Sequence, residues 1–133
     1  MMGLKTLLLV SLLGVLALEV LAGPIVGGVT NINKDDPDLQ KALLVATNYY
    51  NTQSKDPFLY KISSVSKARS QLVAGILYSV DLAISKTTCR KLPSQDLSKC
   101  SFKLPRKTLQ CHVKVLVVPW LKQTTTLEFT CEP

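Results

Sequence analysis

Nucleophilic catalysis needs a hydroxyl or thiol beside a base, and this chain has a single histidine, His112. His112 falls midway along an alternating stretch, on its polar side, which reads as an ordinary solvent-facing strand position. The four cysteines, Cys89, Cys100, Cys111 and Cys131, are not spaced as zinc ligands. No glycine-rich phosphate loop is present. The reading is therefore that the chain is not an enzyme and needs no metal or cofactor. What remains is binding through apolar residues at turns. Gln71-Leu72-Val73-Ala74-Gly75 lies between a polar, basic run and a long alternating strand, where a hairpin would turn. From spacing alone, these five residues could equally be the strand's buried first turn. Pro119-Trp120 forms the second candidate turn and holds the only tryptophan. A tryptophan at a turn is poorly placed for burial in its own sheet and is a common hot-spot residue at interfaces. If both hairpins turn at one end of the sheet, their residues form an apolar edge. Such an edge costs solubility unless something binds it.

These residues need elements to position them. Asp36 has the character of a helix N-cap, Pro37 suits the first helical position, and Asp38 complements the helix dipole. Leu39, Ala42, Leu43, Ala46, Tyr49 and Tyr50 recur at helical spacing, and Leu44 and Val45 widen that face. The pattern predicts a broadly embraced helix that stops near Asn51-Thr52. Phe58 to Ser70 reads as a strand, with Tyr60 and Ile62 on one face and Leu59 and Val65 on the other. Ile76, Tyr78, Val80, Leu82 and Ile84 share one face of the next strand. Leu109 to Val117 alternates likewise, and Leu121 to Cys131 follows, with Leu127 and Phe129 pointing one way. Asn31 to Asp35 reads as a polar linker. One helix and four hairpin-linked strands predict an α+β domain with the helix lying across an antiparallel sheet.

Residues 1–22 have the organisation of a secretory signal peptide: Lys5, a nearly unbroken apolar run from Leu7 to Leu18, and Val20-Leu21-Ala22 at the cleavage position. Cleavage after Ala22, with Val15-Leu16-Ala17 as a second possible site, is expected to leave residues 23–133 as one secreted, extracellular domain with no membrane attachment. An even count of cysteines in a short secreted domain implies two disulfides, for which three connectivities exist. A hairpin at Pro119-Trp120 would set Cys111 opposite Cys131 and leave Cys89 and Cys100 to close the loop between them. Gly23 to Val29 is short, apolar and without periodicity, as expected of a mobile arm. Asn-x-Ser/Thr is absent, so N-glycosylation is not expected.

The predicted mature chain keeps a net charge of +7, from 15 basic and 8 acidic residues once Lys5 and Glu19 are removed. Lys86 to Lys107 holds seven basic residues against Asp96 alone. Such a run reads first as a solvated face, and otherwise as an attractor of acidic surfaces, glycans or nucleic acid. Within that run, only Phe102 interleaves the charges, which gives little basis for stacking on bases.

Three separated elements together resemble the secreted, two-disulfide (type 2) cystatins, inhibitors of papain-like cysteine peptidases. Ile25-Val26-Gly27-Gly28 is similar to the family's N-terminal arm and its glycine. Gln71-Leu72-Val73-Ala74-Gly75 matches the Gln-x-Val-x-Gly hairpin, and Pro119-Trp120 matches the second hairpin. The resemblance implies a sheet wrapped around one long helix, with disulfides Cys89–Cys100 and Cys111–Cys131. It implies reversible, competitive, tight-binding inhibition by a wedge that fills the peptidase cleft. Ile25, Val26 and Gly27 would lie on the non-primed side. Gln71, Leu72, Val73, Ala74 and Gly75 would sit near the peptidase's catalytic cysteine, and Pro119 and Trp120 on the primed side. Some family members also inhibit legumain through an asparagine after the helix; Lys55 stands in its place here, so that activity is not expected. Partners are thus papain-like peptidases and not nucleic acid. The chain is expected mainly as a monomer, with a domain-swapped dimer open to it through the Gln71–Gly75 hairpin. Competing readings of other classes are a cystatin-fold protein without inhibitory activity and a cationic host-defence protein binding polyanions through residues 86–107.

Overall fold

The computed structural model describes residues 27–92 and 95–133. The expected signal peptide, its cleavage site, and Ile25 and Val26 lie outside the described residues. The elements run β1 (Val29–Asn31), α1 (Pro37–Gln53), β2 (Phe58–Val73), β3 (Gly75–Arg90), β4 (Thr108–Val118) and β5 (Gln123–Glu132). Two short 3₁₀ turns, Leu97–Lys99 and Pro119–Leu121, lie between strands. The five strands form one antiparallel sheet in sequence order, and α1 packs across it.

The helix begins where its cap residues place it. Asp36 Oδ1 accepts from the backbone N–H of Asp38 at 2.9 Å and of Leu39 at 3.1 Å. Two donors that a helix start leaves unpaired are thereby satisfied. Leu39, Ala42, Leu43 and Ala46 are buried against Tyr60, Tyr78, Val80, Leu82, Ile84, Val113 and Val115 of the sheet. Each large apolar side chain buried there contributes about 1.5–3 kcal/mol. The face is narrower than the pattern predicts, because the sheet covers one side of α1 only. Leu44, Val45 and Tyr49 are exposed.

The C-terminal end of α1 is fastened by polar contacts. Buried Asn51 donates from Nδ2 to the Tyr60 carbonyl at 2.9 Å and accepts the Tyr60 N–H at 2.8 Å. Asp56 accepts from Lys86 at 2.7 Å, from the Phe58 N–H at 2.9 Å and from the Tyr60 hydroxyl at 3.3 Å. Burial pushes the Asp56 carboxyl up, but these donors and the Lys86 charge outweigh it and hold the group below its ordinary value. The Tyr60 hydroxyl is pushed up to about 12, by burial first and by the nearby Asp56 charge second.

Three features differ from the sequence reading, each for a geometric reason. Asn31 and Val29 are not linker and arm but belong to β1, a three-residue strand on the edge of the sheet. Val65 packs on the core side with Tyr60 and Ile62, because register shifts in β2 reset its alternation. Leu127 is exposed while Phe129 packs on the core. Lys114 pairs with Glu128 and Val115 with Thr126, so Leu127 is an extra residue that breaks the parity of β5.

Candidate functional site

The first hairpin turns at Ala74, with Val73 and Gly75 paired across it. Gly75 has φ +134°, and a Cβ there would lie 2.7 Å from the Val117 carbonyl oxygen and 3.2 Å from Val118 Cγ2. Only glycine suits that conformation and that approach. Ile76 pairs with Val117, so the start of β3 lies beside the end of β4. The turn that follows β4 is therefore at the same end of the sheet as the first hairpin.

That second turn closes between Val118 and Gln123, which pair with each other. Pro119 begins it with a fixed φ. Lys122 ends it in the left-handed conformation, φ 52°, and its N–H donates to the Pro119 carbonyl at 3.0 Å. Trp120 is held outward, 68% exposed, beside Leu121 at 58%. Leu72, before the first turn, is 63% exposed. Ala74 and Pro119 are exposed as well, whereas Val73 and Gln71 are half-buried. The reading of Gln71 to Gly75 as a buried first turn of a strand is thus excluded.

The N-terminal segment joins the same end. The Gly27 N–H donates to the Leu72 carbonyl at 2.8 Å, and Gln71 Nε2 donates to the Gly27 carbonyl at 3.0 Å. Val29 then pairs with Gln71. A Cβ on Gly27 would come within 3.3 Å of both Leu72 Cβ and Leu72 O, so the backbone lies tight against the hairpin. The described part of the arm, read from sequence as mobile, is pinned from Gly27 onward. The structure thus brings Gly27, Gln71 to Gly75, Pro119 and Trp120 to one end. Sequence reasoning left out Leu121, whose only signal was its place in the Pro119-Trp120 turn.

Two disulfides tie the sheet away from the hairpin end. Cys111 and Cys131 are direct partners across β4 and β5, with Cα atoms 4.1 Å apart, and Cys89–Cys100 closes the loop after β3 at 5.7 Å. Among the described residues no cysteine is free. His112 is more engaged than a plain surface residue: Nδ1 lies 2.6 Å from Asp81 and Nε2 3.5 Å from Glu128, on neighbouring strands. Among the described residues, no group of three or more His, Cys, Asp or Glu side chains is placed to hold a metal ion. No described helix is long and apolar enough to cross a membrane. The arrangement presents Leu72, Trp120 and Leu121 as an exposed apolar edge.

Comparison with known proteins agrees with this geometry. The cystatin domain profile matches residues 27–120. Cystatin-C of Oryctolagus cuniculus is 34% identical, covering 98% of this chain and 96% of the relative. Cystatin-2 of Crotalus adamanteus is 35% identical, covering 82% of each. The crystal structure of dimeric human cystatin F superposes with a TM-score of 0.75 at 31% identity, covering 80% of this chain and 86% of that one. Cystatins are peptidase inhibitors and not enzymes. Domain profile, relatives, helix-on-sheet fold and both disulfides together show that this chain belongs to the cystatin family, in its two-disulfide type 2 branch.

Proposed function

We propose that this protein is a secreted, reversible, tight-binding competitive inhibitor of papain-like cysteine peptidases of the cathepsin type. Membership of a family of cysteine peptidase inhibitors supports the inhibitory class. The observation that carries the mechanism is the gathering of Gly27, the Val73–Gly75 turn and the exposed Trp120 at one end of the sheet. In this reading Ile25 and Val26 enter the non-primed side of the cleft, Gln71 to Gly75 stand over the catalytic cysteine, and Pro119 and Trp120 cover the primed side. Inhibition in this reading is by occlusion, with the inhibitor's own chain left uncut. Both hairpins belong to a disulfide-braced sheet, so they lose little conformational freedom on docking.

The test is competition and recovery. Substrate should raise the apparent inhibition constant linearly, and the inhibitor released from the complex should retain its full mass. Non-competitive kinetics, or a nick between Leu72 and Ile76 in the recovered inhibitor, would contradict occlusion.

Lys55 is exposed in the turn after α1, where a legumain-type pocket would require asparagine. Legumain is therefore not a target in this reading, and Lys55→Asn is the substitution expected to introduce inhibition of it. Potent inhibition of legumain by the unaltered protein would overturn that assignment. The protein acts as a monomer in this reading, with hairpin-opened dimers as a minor form; a peptidase-binding species that elutes only as a dimer would contradict it.

A further inference from the structure

We propose that the end of the sheet opposite the hairpins is a binding surface for a sulfated polysaccharide. Two phenylalanines there carry cations over their rings. Lys61 Nζ lies 4.8 Å from the Phe102 centroid and Arg106 Cζ 4.4 Å from it. Lys103 Nζ lies 4.4 Å from the Phe58 centroid and Arg90 Cζ 5.1 Å from it. Phe58 and Arg90 are partners across β2 and β3, and Phe102 bridges to Thr87, so the cations come from separate segments.

A cluster of like charges repels itself, and ring contacts at exposed sites offset only a small part of that. Among the described residues, Asp56 at this end is taken by Lys86, and Asp96 in the loop accepts from Ser98. A chain of anions would relieve the remaining repulsion. The segment after β3 is held in place: the Lys103 N–H donates to the Lys86 carbonyl at 2.9 Å, and the Lys86 N–H to the Lys107 carbonyl at 3.0 Å. The Cys89–Cys100 disulfide closes the loop behind it. The cations are thus preorganised by backbone pairing and aromatic rings.

The chemistry favours sulfate over nucleic acid. Single-strand binding relies on aromatic faces open to bases, and both rings here already carry cations. Arginine's planar fork suits oxyanions of tetrahedral groups, and two disulfides fit an oxidising, extracellular setting. The strand from Gly75 to Lys86 places the cluster roughly 35 Å along β3 from the first hairpin, at about 3.3 Å per residue. Polysaccharide and hairpin-end partner can therefore bind together.

The test uses the whole oxidised protein on heparin and on a sulfonate exchanger of matched charge density. Elution from heparin is expected at the higher salt. The double variant Lys103→Ser/Arg106→Ser should bind heparin about ten-fold or more weakly. Lys34→Ser/Lys41→Ser removes the same charge elsewhere and should change binding by less than about two-fold. On the unaltered protein, heparin should protect Lys61 and Lys103 from amine acetylation but not Lys41. Equal loss in both double variants, elution no later than from sulfonate, or uniform protection would overturn the proposal. So would DNA competing better than heparin, which would assign the surface to nucleic acid.

Discussion

The side-chain amide of Gln71 donates to the carbonyl of Gly27 at 3.0 Å, and Gly27 in turn donates its N–H to Leu72 at 2.8 Å. The first hairpin therefore carries its own clamp for the N-terminal arm. Gln71 is half-buried beneath the tip, so it positions the arm in addition to any contact it makes in the cleft. Gln71→Ala should weaken peptidase inhibition by about 0.5–1.5 kcal/mol, the net worth of one hydrogen bond. The loss should appear as faster dissociation, with faster amide exchange at Gly27. Unchanged exchange at Gly27 would show that the backbone pairing holds the arm without the side chain.

Trp120 stands 68% exposed on a turn fixed by Pro119 and Lys122. It anchors no part of the core, so its removal should leave folding intact. Trp120→Ala is expected to cost about 1–4 kcal/mol of affinity for a papain-like peptidase, with little change in thermal midpoint. An unchanged inhibition constant would remove the second hairpin from the interface.

Gly75 has no room for a methyl group: a Cβ there would lie 2.7 Å from the Val117 carbonyl oxygen, and φ is +134°. Gly75→Ala must therefore push β4 away from β3 or reshape the turn. A stability loss of about 1–3 kcal/mol is expected, together with weaker inhibition as the hairpins move apart. Wild-type affinity in a folded Gly75→Ala protein would show that hairpin spacing does not matter.

The helix is legible in the sequence because its signals are local: the Asp36 cap, Pro37, and apolar residues at helical spacing. The hairpins are legible because Gly75, and Pro119 with Trp120, punctuate long alternating runs. Asn51 is not, since its use depends on Tyr60 arriving opposite it, a tertiary event that helix periodicity does not contain. Alternation assigns Val65 and Leu127 to the wrong faces because a register shift inverts the pattern beyond it, and no residue type announces one. Strand β1 is three exposed residues long, too short for a pattern, and is recruited by Gln71 and Leu72. Of the candidate site, Gly27, both turns and both disulfides are readable from motif and spacing. The clamp role of Gln71 and the outward position of Leu121 emerge only from the folded geometry.

The Asp56–Lys86–Tyr60 cluster contributes to the pH dependence of stability. Asp56 is held below its ordinary value, so its stabilisation is present above about pH 4 and is lost as pH falls through its folded value. Tyr60 is raised to about 12, so the neutral phenol contributes fully below its ordinary value of about 10 and is lost as pH rises towards 12. Thermal midpoints should fall at both extremes. Asp56→Asn should flatten the acid side and Tyr60→Phe the alkaline side. Acid profiles that superpose for the wild type and Asp56→Asn would exclude Asp56 as the titrating group.

The most direct measurement is titration of active-site-counted papain with residues 23–133, oxidised and monomeric, at two salt concentrations. Tight, reversible, stoichiometric inhibition that depends weakly on salt is the predicted result. A correctly oxidised monomer that leaves papain fully active, or inhibits it only at low salt, would contradict the hairpin wedge while leaving the fold intact.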